Sequence, residues 1–209
     1  MKLLCLSAGI DSVGALFHSI SKGEDIVAVN LRVTLSKNSR LNLRPWMNNH
    51  SLQRELSKEI CNRLSIKLMK VDINLDDIEL SSQTPVHQKH ILGSMCGMIS
   101  LFNPEIDTCY HCSNYQDLYL PTYPLRTSFE SVGDFQKAIT GMGSTALGVT
   151  PIGHLTKQQV FDLIPKDFIN LVSTCWFRTS RNETRCMTCL KCKQYDELLS
   201  ESSVHMLNG

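Results

Sequence analysis

Two short stretches of this 209-residue chain carry residue types whose spacing suits chemistry. The first is Leu6-Ser7-Ala8-Gly9-Ile10-Asp11-Ser12, which follows an apolar run of Leu3, Leu4, Cys5 and Leu6. A strand that turns tightly into a helix leaves backbone N–H groups pointing into the turn. Together with the positive end of the helix dipole, those groups cradle an anion such as phosphate. Close approach requires small side chains, which Ser7, Ala8 and Gly9 are. Ser7 and Ser12 add hydroxyl donors, and Asp11 can orient the loop or a metal bound to the phosphates. The competing reading is a helix start merely capped by Asp11 or Ser12.

The second stretch places Cys175, then ten residues, Cys186, two residues, Cys189, two residues and Cys192. Thiolates at C-x-x-C spacing wrap a tetrahedral zinc ion from a tight turn. An iron–sulfur cluster accepts the same run, and a chance grouping is the third reading. A closed four-cysteine zinc site keeps no open position, so it would fold the C-terminal segment rather than catalyse. Four thiolates and Zn²⁺ leave a net −2; Arg178, Arg181, Arg185, Lys191 and Lys193 against Glu183 give +5 − 1 = +4 nearby. Those cations either offset the charge of the site or form a patch for RNA phosphate.

Nine cysteines, an odd number without a secretion-signal pattern, argue for metal or redox chemistry rather than a disulfide framework. Cys109 and Cys112 form a further C-x-x-C, with Cys96 as a possible third ligand; the alternative is incidental thiols.

These stretches need a scaffold, and the hydrophobic pattern supplies one. Val13, Leu16, Phe17 and Ile20 recur at helical spacing, with Gly23 placed as a C-cap. Residues 26–33 read as a buried strand, Leu52, Leu56, Ile60 and Leu64 as one helix face, and 66–73 as a third strand. Strand and helix in alternation imply an α/β fold, a parallel sheet with helices on both faces. A helix over 86–102 ends near Asn103-Pro104. The pattern is weak from 103 to 150, then Thr156 and Gln159 suggest a capping box for a helix that Pro165 stops. The tail beyond Tyr195 is polar and expected to fray.

Hydrophobic content of 42%, charged content of 20% and a net charge of +1 suit a soluble globular chain with no field to steer nucleic acid or membrane. No apolar stretch approaches the length of a membrane span, so the expected location is the cytoplasm.

Leu6 to Ser12 resembles the SGGxDS pyrophosphate loop of the N-type ATP pyrophosphatases (the PP-loop superfamily, adenine nucleotide alpha hydrolase-like). With "TPIGHLTKQQVFDL" and the Cys175–Cys192 cluster, the chain resembles the 7-cyano-7-deazaguanine synthase family. The resemblance implies a doubly wound parallel-sheet domain at 1–172 and a small zinc-binding segment at 173–209. It implies ATP held by Ser7, Ala8, Gly9, Ile10, Asp11 and Ser12, with adenine against backbone groups of Asn30, Leu31 and Arg32. Mg²⁺ would accompany the phosphates, and Zn²⁺ would sit on Cys175, Cys186, Cys189 and Cys192. Ser7, Asp11, Ser12 and Lys89 are the implied catalytic residues, Lys89 standing as a cation where the family has arginine. The implied reaction adenylates the carboxylate of a 7-deazaguanine-like base and converts it with ammonia to an amide or nitrile, the chemistry of queuosine precursors. Partners are then that small-molecule substrate and ammonia, and a homodimer is common among relatives. Neither membrane nor nucleic acid is expected.

The chain departs from the family in three places. Ala8 replaces a usual glycine, which is tolerable if φ stays negative and Cβ faces away from the phosphate. "VHQKHIL" (Val86 to Leu92) replaces V-P-G-R-N-I-L, leaving His87 and His90 either as polar residues at a helix start or as acid–base groups. "YPLRTS" (Tyr123 to Ser128) stands where the family has a substrate-side Tyr-Pro-Asp-Cys-Arg pattern, without its Asp and Cys. Cys109 and Cys112 resemble in spacing the cysteines of tRNA thiolases on this fold. Two alternatives follow: a tRNA sulfurtransferase working through Cys109 or Cys112, and a non-catalytic nucleotide-binding relative.

Overall fold

Leu3 and Leu4 are both fully buried although adjacent, because a strand sends successive side chains to opposite faces of its sheet. Leu4, Ala28 and Tyr110 belong to one apolar core, and Leu3, Val27, Val29 and Cys109 to another. A sheet buried on both faces in this way is the parallel kind. The computed structural model describes residues 1–34, 50–74, 88–115 and 129–207.

In chain order the elements are β1 (Lys2–Cys5), α1 (Ile10–Ser21), β2 (Ile26–Thr34), α2 (His50–Arg63), β3 (Leu68–Asn74) and α3 (Gln88–Phe102). There follow β4 (Thr108–Tyr110), α4 (Phe129–Gly141), β5 (Leu147–Val149), α5 (Lys157–Asp162), a 3₁₀ turn (Lys166–Leu171) and α6 (Leu190–Leu207). Among the described residues the strands make one sheet in the order β3-β2-β1-β4-β5, with every neighbouring pair parallel. The chain therefore winds outward in one direction from β1 through β3, then crosses back to lay β4 on the other side of β1. That reversal opens a crevice outside the carboxyl ends of β1 and β4, where ligands of such sheets bind.

The expected α/β architecture is what the structure has. The weakly patterned region contributes β4, α4 and β5; two three-residue strands give too little alternation to read. The expected fraying beyond Tyr195 is overturned. The helix runs on to Leu207 because Leu198 is buried in the main core and Tyr195 meets Phe161 edge-on at 5.9 Å.

Gly14 sets how close α5 lies to α1. A β-carbon there would stand 2.7 Å from the Val160 carbonyl oxygen and closer still to the Val160 side chain. Gly14→Ala is therefore expected to push α5 away and destabilise the chain by about 1–3 kcal/mol, the usual range for overpacking. A urea denaturation midpoint measures it; an unchanged midpoint would show that the two helices are not in this contact.

Candidate functional site

Leu6 continues the β1 ladder for one bond, donating its N–H to the Val29 carbonyl at 2.8 Å. The chain then turns through Ser7, Ala8 and Gly9 into α1. Ala8 has φ +54, so the condition of a negative φ is not met. Its methyl is fully buried in the core on the α1 side of the sheet, so the Cβ does face away from the turn. Left-handed backbone at a non-glycine residue costs about 1–2 kcal/mol. Ser173 donates its N–H to the Ala8 carbonyl at 2.6 Å and fixes the turn from outside.

Among the described residues no side chain caps α1. The Ser12 hydroxyl donates to the Gly9 carbonyl at 3.0 Å and accepts the Ser7 N–H at 3.2 Å, with the Ser7 hydroxyl 3.3 Å away. The Asp11 carboxylate accepts from Asn114 Nδ2 at 2.7 Å and from Lys157 Nζ at 2.5 Å. A helix simply capped by Asp11 or Ser12 is thus not what forms here. The first-turn amides of Ile10, Asp11 and Ser12 have no acceptor within the helix and, among the described residues, no side-chain cap.

Gly9 stands at the helix start with φ −77 and ψ 162. A β-carbon there would lie 3.4 Å from Ser7 Oγ and 3.8 Å from Lys191 Nζ. A hydroxyl and an ammonium therefore flank the space over Gly9, two groups able to donate to an anion. Burial first, and then the Lys157 ammonium, hold Lys191 below the ordinary lysine range; Asp11 and the sulfurs of Cys189 and Cys175 oppose that shift. Two lysines thus converge on the turn, one from α5 and one from α6.

Asn30 is buried, and its side chain is spent on structure. Its Nδ2 donates to the Leu6 carbonyl at 2.8 Å, and its Oδ1 accepts from Arg54 Nε at 3.1 Å. Arg54 also grips Asp72 with both carboxylate oxygens at 2.9 Å, while Arg32 lies 3.9 Å from the same carboxylate. β1 ends opposite Val29, so Asn30, Leu31 and Arg32 have a ladder partner in β3 alone among the described residues. Lys89 falls in the first turn of α3, and its side chain lies outside the described residues, as do Val86, His87 and the Tyr123–Ser128 stretch.

The four cysteine sulfurs lie within 4.8 Å of one another, with Cys186 and Cys192 3.9 Å apart. Zinc–sulfur bonds of about 2.3 Å in a tetrahedron place sulfurs about 3.8 Å apart, so the set fits the ion. Main-chain amides already face the sulfurs: Cys186 N–H toward Cys175 Sγ at 3.4 Å and Cys189 N–H toward Cys186 Sγ at 3.3 Å. The Thr188 hydroxyl and then the Cys189 N–H bring the Cys186 thiol down to about 6. Burial above all holds Cys192 well above the usual thiol range. Of the expected halo of cations, Lys191 and Arg185 act on the sulfurs, and several arginines also hold other partners. Arg181 pairs with Glu55 and Glu59, Arg185 with Asp196 at 2.8 Å, and Arg178 donates to the Ser180 carbonyl at 3.0 Å.

Cys109 and Cys112 are not brought together as a site. Cys109 is fully buried with Cys96 in the core on the α3 side, whereas the Cys112 thiol lies 3.6 Å from the Cys5 carbonyl and packs against the opposite core.

No protein-family model and no curated protein sequence matches the chain. Similar solved structures include an NMN synthetase from Francisella tularensis, 19% identical over 89% of this chain and 70% of that one, with a TM-score of 0.48. A glutamine-dependent NAD+ synthetase from Acinetobacter baumannii in complex with ADP is 14% identical over 81% of this chain and 31% of its own, TM-score 0.45. A 4-thiouridine synthetase in an RNA complex with bound ATP is 14% identical over 95% of this chain and 50% of its own, TM-score 0.48. Likeness at this level carries no argument for activity, which rests on the residues of the site itself. Among the described residues no helix is long and apolar enough to cross a membrane.

Three residues of the turn's surroundings carried no assigned role in the sequence reading: Lys157, Lys191 and Asn114. Lys157 sits beside the visible capping box and Lys191 between two ligand cysteines, so both were noticed as part of something else. Asn114 lies in the weakly patterned region, with no local signal at all.

Proposed function

We propose that the chain is an ATP-dependent ligase that forms AMP and pyrophosphate. The β and γ phosphates of ATP lie in the turn of Ser7 to Ser12, with Mg²⁺ alongside, and the adenine meets the backbone edge of Asn30 to Arg32. A substrate carboxylate attacks the α phosphorus, releasing pyrophosphate and leaving an acyl adenylate; ammonia then displaces AMP and forms an amide. A second adenylation, at the amide oxygen, followed by loss of AMP gives a nitrile. The substrate in this reading is a 7-deazaguanine-like carboxylate, from the resemblance of the turn, the Thr-Pro to Lys157 stretch and the four cysteines to that synthase family. Positioning and charge stabilisation do most of the catalytic work in such a transfer. Lys157 and the first-turn amides of α1 supply both to the departing pyrophosphate.

One observation carries the reading: a helix start at the sheet's switch point, uncapped among the described residues, opens on a space that a single methyl on Gly9 would enter. Gly9→Ala keeps an allowed backbone, since its φ is negative, and its contacts stay at ordinary van der Waals distance. It is therefore expected to fold normally. Its affinity for ATP should fall about tenfold to a hundredfold, the worth of one charge-assisted hydrogen bond. Titration calorimetry with ATP and Mg²⁺ reads the loss, and mass spectrometry of the wild type with 7-carboxy-7-deazaguanine and ammonium reads AMP, amide and nitrile. Equal ATP affinity in the variant defeats the phosphate placement; AMP without amide or nitrile defeats the substrate alone.

A further inference from the structure

The four-cysteine segment touches the turn at two points. Ser173, two residues before the first cysteine, donates to the Ala8 carbonyl at 2.6 Å. Lys191, between Cys189 and Cys192, sets its ammonium beside Gly9, 3.8 Å from where a β-carbon would stand. The backbone of residues 189–193 is fixed by its ligand thiols and by the Lys193 N–H donating to the Cys189 carbonyl at 3.1 Å. The position of the Lys191 stem thus follows from the arrangement of the sulfurs. Lys191 makes no hydrogen bond or close ion pair among the described residues, in contrast to Lys157, which is held by Asp11. Its ammonium is acted on by the sulfurs of Cys189 and Cys175 and also stands over the helix start, so it faces both sites.

We infer that the metal segment is a working part of the phosphate site: it delivers Lys191 to the turn as a phosphate-binding residue, so that metal on the four cysteines raises affinity for the nucleotide. The inference rests on the phosphate reading of the Ser7–Ser12 turn. It gives the segment a task beyond folding the C-terminus. Cys189 and Cys192 hold the ion while the residue between them holds the anion, and the two sites are linked by a single turn of backbone.

The test uses the zinc-loaded full chain and inorganic pyrophosphate with Mg²⁺, followed by titration calorimetry. Lys191→Gln should bind pyrophosphate about tenfold to a hundredfold more weakly, the loss of one charge-assisted contact. Its zinc content and melting temperature should match the wild type. The exposed neighbour, as Lys193→Gln, should bind like the wild type, and Lys191→Arg should recover part of the loss. Removing zinc with a chelator should weaken pyrophosphate binding in the wild type and add little in Lys191→Gln, because coupled groups are not additive. Undiminished binding by zinc-loaded Lys191→Gln overturns the inference while leaving the phosphate turn intact. So does a chelator effect equal in both proteins, or loss of zinc from Lys191→Gln, which would assign the lysine to the metal centre. A wild type that binds neither pyrophosphate nor ATP overturns the phosphate reading and this inference with it.

Discussion

Lys157→Gln is expected to lower kcat/KM for ATP by about a hundredfold to a thousandfold, the usual cost of removing one preorganised group that stabilises transition-state charge. The residue is aimed by local structure. Thr156 and Gln159 close a capping box around the start of α5, and that fixes Lys157 as its first helical residue. Close packing at Gly14 holds α5 against α1. The ammonium then reaches Asp11 on the first turn of α1, at 2.5 Å, and so lies within reach of an anion seated on the same turn. The pair is partly exposed, with side-chain accessibilities of 15% and 24%, so its contribution to stability is modest. The melting temperature should accordingly change little while turnover collapses. Lys157→Arg retains the charge but presents a planar fork instead of a point, and should recover turnover only in part. Steady-state kinetics of pyrophosphate release beside a thermal melt separates the cases. A kcat/KM within threefold of the wild type removes Lys157 from the phosphate site; a large drop in melting temperature would mean that the pair is structural.

How much of this was legible depended on how local each signal is. The capping box at Thr156 and Gln159 could be read because all its partners lie within four residues. The turn after β1 could be read as an anion cradle, but not separated from a capped helix, because Asp11 and Ser12 serve either purpose. What decides between them is Asn114 and Lys157, the latter 146 positions away, which occupy the carboxylate. The cysteine spacing foretold a cluster, and the sulfurs do converge. The same spacing at Cys109 and Cys112 foretold nothing of the kind: Cys109 belongs to strand β4 and Cys112 lies beyond its end, on the other side of the sheet. The charge count around the cluster holds in part: Lys191 acts on the sulfurs of Cys189 and Cys175, and Arg185 on Cys192. Arg181, five residues before Cys186, reaches carboxylates on α2 instead, and Arg185, next to Cys186, pairs with Asp196 on α6 as well. Nothing in the sequence around Ala8 foretells its left-handed backbone, which the tight turn and the Ser173 bond hold in place.

Cys192→Ser is expected to empty the metal centre and to cost the chain about 10 °C in melting temperature. Apparent binding energies of structural zinc run to about 10–16 kcal/mol and appear as folding energy. Losing a few kcal/mol of it lowers the melting point by about 2–4 °C per kcal/mol in a chain of this size. Cys192 is the sensitive choice because it is fully buried, with Cys175 and Cys189 nearly so, and serine would leave a hydroxyl facing three sulfurs and no ion. Elemental analysis should read about one zinc per wild-type chain and almost none in the variant; visible absorbance in place of zinc would mean an iron–sulfur cluster. Acid should act like the mutation. Metal-bound sulfurs are thiolates, so protons compete with the ion. Cys192, held above the usual thiol range, gives up a proton on binding throughout neutral pH. Cys186, near 6, is already mostly thiolate there and joins the competition as pH falls below that value. Zinc affinity and the stability it confers are therefore present at neutral and alkaline pH and fall away on acidification, more steeply below about 6. Trp176, packed against the sulfurs, reports the loss by its fluorescence. If zinc affinity proved flat between neutral and mildly acidic pH, the four thiols would not be the ligands.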